Sequence, residues 1–488
     1  MTAHTTPSPA GASSALFTDF YALTMAQGYW KQNLNRRAAF EMFFRRNPFG
    51  GGFSVFAGLG TLLEQIAGFT FSIEDIEYLR SLGLFEAPFL NYLQDFRFAG
   101  SLWSMDEGQV VFPQEPLLRI EGGLIECQLL EGLVLNTINF QSLIATKTAR
   151  VWLASGKGTV MEFGLRRAQG RDGAMSASRA AYIGGAAGTS NVLAGKEFNI
   201  PVMGTMAHSW IMAHPSEEAA FRAYAALYPR NPVFLIDTYD TLQRGIRSAV
   251  TVGKELAAAG KNFGVRLDSG DIHYLSVEVR RILDAAGLRQ ATIAVSNDLD
   301  ESIIQTLTSA GAPVNVWGVG TRMVTGGNDA AFTGVYKLTA SETAPGRFEP
   351  AMKFSDNPDK NTTPGIKRVW RVRDAGGMAA ADVMGLAPED QLIPGERRAF
   401  WHPQADYRHF YHVIEGGAEE LLHLRIDRGK CAAPAPSLEE IRGKLRAELE
   451  TFDPSYQRFL NPHVYKVSLT ERLRALKLDL IKTHLGEA

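Results

Sequence analysis

With 488 residues, against the ~150 of a typical domain, the chain can bury at least one large core, and a disulfide-stapled miniature scaffold is excluded. Fifty basic and 52 acidic side chains leave a formal charge of −2, so no global field draws the molecule onto nucleic acid or anionic lipid, and any phosphate must be held locally. Its 45% hydrophobic and 21% charged content is that of a folded globular protein, and two cysteines, Cys127 and Cys431, allow no thiolate metal cage and point to a reducing, cytoplasmic setting.

The first fifteen residues, MTAHTTPSPAGASSA, read as a disordered tail without the basic start and apolar stretch of a secretory signal. No window of 18 uninterrupted apolar residues marks a membrane span. From Leu16, LFTDFYALTMAQGYWKQ spaces apolar residues as a helix behind Thr18 or Asp19 as cap. Up to residue 123, β-like runs (AAFEMFF, FSVFAGL, VVFP, LLRIEGG) alternate with short helices such as TLLEQIAG, giving an N-terminal α+β domain over 16–123. Residues 124–155 read as one long amphipathic helix.

Beyond it, short apolar runs ending in a polar residue recur: TVMEF (159–163), IPVMGT (200–205), VFLID (233–237), FGVRLD (263–268), TIAVSND (292–298) and VNVWGVGT (314–321). Helical stretches between them imply parallel strands with right-handed crossovers. Six such units favour a closed but irregular αβ barrel, assigned to 124–340, over an open sheet. The fold class is therefore α/β. Residues 341–488 form a mixed extension, with a charged loop KFSDNPDKNTTPG and β-structure around KRVWRV.

In a parallel barrel the reactive groups collect where the strands end. Those ends carry Glu162, Phe163, Arg166 and Arg167; Thr205 and His208; Asp237 and Asp240; Arg266, Asp268 and Asp271; Ser296, Asn297 and Asp298; and Gly318, Gly320, Thr321 and Arg322. Carboxylates, guanidiniums and one imidazole together suit an anionic substrate with a divalent cation. Asp237, Asp268 and Asp271 are candidates to share Mg²⁺, which takes few protein oxygens and bridges to phosphates; each is equally able to cap the helix after its strand. The bare amides of Gly318-Val319-Gly320-Thr321 suit a phosphate, and Ser296 and Asn297 add donors. His208, at a strand end, is a candidate nucleophile, whereas His402, His409, His412 and His423 lie outside the barrel and read as structural.

Long stretches carry a family resemblance: TDFYALTMAQGYW, FEMFFRRNPFGGGFSVFAGL, EFGLRRAQGRDGAMSASRAAYIGGAAGTSNVLAG, GTMAHSW, GVRLDSGD, VSNDLDE, VGVGTRMVTGG and KFSDNPDKNTTPG. In that order they resemble the nicotinate phosphoribosyltransferases from about Leu16 to the C-terminus. The resemblance implies an ATP-coupled ligase-type enzyme of NAD salvage that joins nicotinate to phosphoribosyl pyrophosphate, and a homodimer whose active sites draw on both chains. It implies that Tyr21 of the partner subunit and Phe163 sandwich the pyridine ring and that Arg266 and Thr205 contact nicotinate. It further implies that Thr321 with Gly318 and Gly320 holds the 5′-phosphate, that ATP phosphorylates His208, and that Asp237 and Asp268 hold Mg²⁺ and pyrophosphate or orient the ribose hydroxyls. Ser209, where many bacterial relatives are acidic, leaves the group that orients the imidazole unassigned. Ser190, where the nicotinamide-using sister family has an aspartate, favours a substrate carboxylate.

Overall fold

The computed structural model describes residues 14–355, 360–388, 392–405 and 407–486. The chain separates into two compact units, one holding 143–330 with 438–442, the other everything described before and after. The division falls at 142/143 and 330/331 rather than at 123/124 and 340/341.

The 143–330 unit forms the irregular αβ barrel as a half-barrel: among the described residues its six strands make one sheet whose two edge strands do not pair, so the expected closure is not seen. Its strands are β1 (Thr159–Glu162), β2 (Gly188–Thr189), β3 (Val233–Leu235), β4 (Gly264–Leu267), β5 (Thr292–Val295) and β6 (Val316–Val319). They lie in the order β2-β1-β6-β5-β4-β3, and every pair is parallel. Nearly every strand residue is buried, as expected of parallel strands covered on both faces. Crossover helices Ile246–Ala258, Ile272–Ala285 and Glu301–Ser309 bury one apolar stripe, for example Val252 and Leu256, or Val279 and Leu283, which is the helical period of the sequence expressed as packing, whereas Gly170–Ile183 is buried all round from Ala177 to Ile183.

The expected strand at 200–205 does not form. Only Val202 bridges Thr189, with Thr189 N–H donating to Pro201 O at 3.0 Å and Met203 N–H to Thr189 O at 2.9 Å. Its partner β2 is two residues long, too short to show as periodicity. A Cβ on Gly188 would stand 2.4 Å from Pro201 O, so glycine there admits the neighbouring backbone.

The other unit is α+β and contains both ends of the chain. Strand Arg37–Phe44 lies antiparallel between Gly334–Ala344 and Leu118–Gly123. The sheet continues through Ser101–Ser104 to His423–Asp427. A second, mixed sheet contains Lys367–Arg373, Ala379–Leu386, Arg397–Trp401 and Val467–Leu469, over a core of Trp370, Val383, Phe400 and Ile414.

Two N-terminal expectations change. Residues 1–13 of the expected tail lie outside the described residues, but Ala15 is fully buried and donates to Thr70 O at 3.0 Å. The long helix is two, Leu124–Leu129 and Glu131–Ala154. Thr18, one of the two candidate caps of the first helix, sends its hydroxyl to Leu129 O at 3.1 Å instead, taking a carbonyl at the break; Asp19 occupies the N-cap position of helix Phe20–Lys31 without a side-chain bond. Among the described residues no helix is long and apolar enough to cross a membrane.

Candidate active site

The C-terminal ends of β3, β4 and β5 are tied into one polar network. Asp237, two residues past β3, receives the Asp268 backbone N–H at 2.9 Å and the Ser269 hydroxyl at 2.6 Å, both on Oδ2. Its other oxygen, Oδ1, is buried without a protein partner. Asp268, just past β4, accepts on Oδ1 from the Ser296 hydroxyl at the end of β5. Arg266 on β4 reaches Asp268 Oδ1 at 3.6 Å. Through Nη1 it also donates to the Thr205 hydroxyl and, at 3.2 Å, to Met206 O. The segment that failed to become a strand is thus delivered to the site by a guanidinium.

His208 opens the short helix His208–Met212. Its Nδ1 lies 3.1 Å from Thr238 Oγ1 and its Nε2 3.8 Å from Asp268 Oδ2. The first is a hydrogen bond and the second an ion-pair distance only. Thr238 is the group that orients the imidazole. Sequence reasoning passed over it, although it directly follows Asp237 at a strand end, where alternation turns neighbouring side chains to opposite sides.

Burial pushes the Arg266 guanidinium below its ordinary pKa against the opposing pull of Asp268 and Asp237, and the positive charge of Arg166 adds to the lowering. Arg166 is therefore close enough to act on this site, from the exposed turn Leu165–Arg167. The Nε of Arg266 is buried without a partner. A part-buried cation whose buried Nε has no partner among the described residues, beside a carboxylate with a likewise unpartnered buried oxygen, is prepared for an anionic ligand and a cation.

At β1 and β6 a second cluster forms. The Phe163 N–H donates to Val319 O at 2.8 Å, and a Cβ on Gly318 would lie 2.7 Å from two Phe163 ring carbons and 3.3 Å from the Ser296 Cβ. The Phe163 ring therefore rests on bare backbone, next to the Ser296 end of the polar network. A Cβ on Gly320 would meet Phe163 O at 3.2 Å, and exposed Thr321 begins the following turn of helix. Asn297 is exposed with φ +88° and joins no described contact of the network. Tyr21 belongs to the other unit, on helix Phe20–Lys31; burial and the acceptor and charge of Glu131 raise its hydroxyl pKa well above the ordinary value.

Three strand-end groups serve structure. Asp240 and Asp271 cap helical turns, accepting from Gln243 N–H at 2.7 Å and Tyr274 N–H at 3.0 Å, so Asp271 does not join the carboxylate pair. Arg322 pairs with Asp300 at 3.2 Å. Among the described residues no three His, Cys, Asp or Glu side chains form a metal cage. The Asp237–Asp268 pair, with its free buried oxygen, fits a hard cation that keeps water and takes its remaining ligands from a substrate.

The models of three nicotinate phosphoribosyltransferase segments match this chain: the N-terminal domain over 16–139, the family's central region over 159–376 and the C-terminal domain over 366–477. Nicotinate phosphoribosyltransferase of Bacillus subtilis is 41% identical over 96% of this chain and 95% of its own length. The Homo sapiens enzyme of the same name is 34% identical over 98% of both. The crystal structure of human nicotinic acid phosphoribosyltransferase superposes with a TM-score of 0.83 at 32% identity, covering 95% of this chain and 99% of that one. With its barrel, its strand-end network and these matches along nearly its whole length, the chain belongs to the nicotinate phosphoribosyltransferase family.

Proposed function

We propose that this protein joins nicotinate to phosphoribosyl pyrophosphate, releasing nicotinate mononucleotide and pyrophosphate as a step of NAD salvage, with ATP hydrolysis coupled through a phosphohistidine at His208. The observation that carries this reading is the single network joining Thr205, Asp237, Arg266, Asp268, Ser296 and His208 across adjacent strand ends.

Breaking the bond between ribose C1 and pyrophosphate builds positive charge on the sugar and negative charge on the leaving group, so fixed charges matter more than proton transfer. The pyridine nitrogen attacks with its own lone pair, and no general base is needed. Arg266 with Thr205 takes the nicotinate carboxylate, and Phe163 offers one face to the ring. Gly318, Gly320 and Thr321 receive the 5′-phosphate, with Ser296, Asn297 and Arg166 adding donors around the substrate. Asp237 and Asp268 would hold Mg²⁺, which supplies charge neutralisation for the pyrophosphate. In a cytoplasmic homodimer, Tyr21 of the partner subunit closes the second ring face, and neither nucleic acid nor membrane takes part.

The test follows pyrophosphate release from nicotinate, phosphoribosyl pyrophosphate and Mg²⁺, with and without ATP, and repeats it with nicotinamide. A higher kcat/KM for nicotinate and stimulation by ATP are expected. A preference for nicotinamide overturns the substrate assignment, and unchanged turnover with ATP overturns the coupling.

A further inference from the structure

Glu162 ends β1 with its side chain 1% exposed, yet no cation pairs with it in the described contacts. Its carboxylate is met by three neutral donors. Oε1 accepts from the Gly164 backbone N–H. Oε2 accepts from the Thr189 hydroxyl and, at 3.1 Å, from the Ser178 hydroxyl. A buried carboxylate is costly unless such donors are held in place, so the three segments that supply them are fixed to one another.

Those segments are the turn after Phe163, helix Gly170–Ile183 and strand β2. The same cluster continues into the Ser190 turn: Asn191 N–H donates to Thr189 Oγ1 at 3.0 Å and Asn191 Nδ2 to Ser178 Oγ at 3.3 Å. The Ser190 N–H donates to the backbone oxygen of Glu162 itself at 2.9 Å. The turn is closely packed: a Cβ on Gly164 would meet Val324 Cγ1 at 2.2 Å and Glu162 Oε1 at 2.9 Å.

We infer that Glu162 is a positioning residue, which holds the Phe163 segment, whose ring is offered to the aromatic substrate, and the Ser190 turn in fixed relation to one another. This rests on the proposed phosphoribosyl transfer to a pyridine ring. Removing one donor or the acceptor loosens the Phe163 and Ser190 segments together, while the groups for the phosphate and pyrophosphate ends, on β3 to β6, keep their own bonds.

The experiment compares Glu162→Gln, Thr189→Val and Thr189→Ser with the wild type. Glu162→Gln sets an amide N–H₂ against donors, Thr189→Val deletes one donor at constant shape, and Thr189→Ser restores it. For Glu162→Gln and Thr189→Val, the KM for nicotinate is expected to rise about tenfold while the KM for phosphoribosyl pyrophosphate changes less than about twofold; Thr189→Ser stays near the wild type. Hydrogen exchange read by mass spectrometry is expected to quicken in 163–168 and 188–192 together. A uniform fall in kcat with both KM values unchanged, or faster exchange spread over the whole barrel, assigns Glu162 to general stability and overturns the inference. Wild-type protein that fails to turn over nicotinate overturns the proposed reaction instead, while coupled exchange of the two segments still reports whether Glu162 joins them.

Discussion

At His208 the two ring nitrogens have different surroundings: Nδ1 is held by a hydroxyl at 3.1 Å, whereas Nε2 has a carboxylate 3.8 Å away, outside hydrogen-bond reach. A ring fixed by one nitrogen keeps the other available, which is the arrangement an imidazole nucleophile needs. His208→Ala should therefore abolish ATP hydrolysis and retain slow ATP-independent pyrophosphate release, measured side by side; ATP turnover at the wild-type rate would remove His208 from the coupling. Gly318 makes a separate prediction. Because a methyl there collides with the Phe163 ring, Gly318→Ala must displace the ring, and the KM for nicotinate should rise at least fivefold with little change in melting temperature. Among single residues the sequence was most legible where a side chain stands alone at a strand end, as Asp237, Arg266 and Asp268 do. It was silent about Thr238, because nothing in a hydroxyl's identity says which ring nitrogen it will meet. It also could not separate Asp271 from Asp268: metal ligand and helix cap have the same composition, and only the Tyr274 N–H at 3.0 Å distinguishes them.

The elements of the barrel unit are joined by ion pairs of the kind that bind one helix to the next. Glu301, the first residue of helix Glu301–Ser309, meets Lys147 at 2.6 Å and Arg150 at 3.0 Å, two residues one turn apart on helix Glu131–Ala154. Burial pulls the Glu301 carboxyl up, but the charges and hydrogen bonds of Lys147 and Arg150 outweigh it and hold its pKa below the ordinary value. A carboxyl depressed in the folded state contributes stability above its unfolded value of about 4.3, and that contribution disappears as pH falls through the lower folded value. Glu301→Gln, which takes a shared anion away from two buried cations, should cost about 1–3 kcal/mol near neutral pH, with the gap to the wild type narrowing below about pH 4.3. Chemical denaturation at several pH values checks this, and a gap that is constant with pH would refute it. The period of the crossover helices Ile246–Ala258 and Ile272–Ala285 was plain in the sequence because apolar spacing is local information. The absence of a strand at 200–205 was not, since the apolar run there pairs at one residue only, Val202 with Thr189, and its far end is held by Arg266, 61 residues on from Thr205.

For the molecule as a whole, the least legible feature was the joining of its two ends. Strand His423–Asp427 extends a sheet begun by Arg37–Phe44, and no local pattern encodes which distant edge a strand will choose. In the second sheet, buried polar contacts likewise tie segments far apart in the chain. Arg371, fully buried, donates to both Asp382 oxygens at 2.7 and 2.9 Å, to Glu448 at 2.6 Å and to Val110 O at 2.8 Å. Glu115 joins them from the N-terminal portion, accepting from Phe112 N–H at 2.7 Å. Burial, and then the negative charge of Asp382, raise its carboxyl well above the usual range. The sign is opposite to that of Glu301. A carboxyl that holds its proton more tightly when folded stabilises the fold below its unfolded value of about 4.3, and this is progressively lost as pH rises through the raised folded value. Glu115→Gln imitates the protonated form at every pH, keeping an acceptor for Phe112 and offering a donor toward Asp382. It should match the wild type in acid and become the more stable of the two as pH rises toward neutrality, read as a growing difference in melting temperature between about pH 4 and 8. A glutamine variant that is equally destabilised across that range would show that Glu115 is ionised in the native fold.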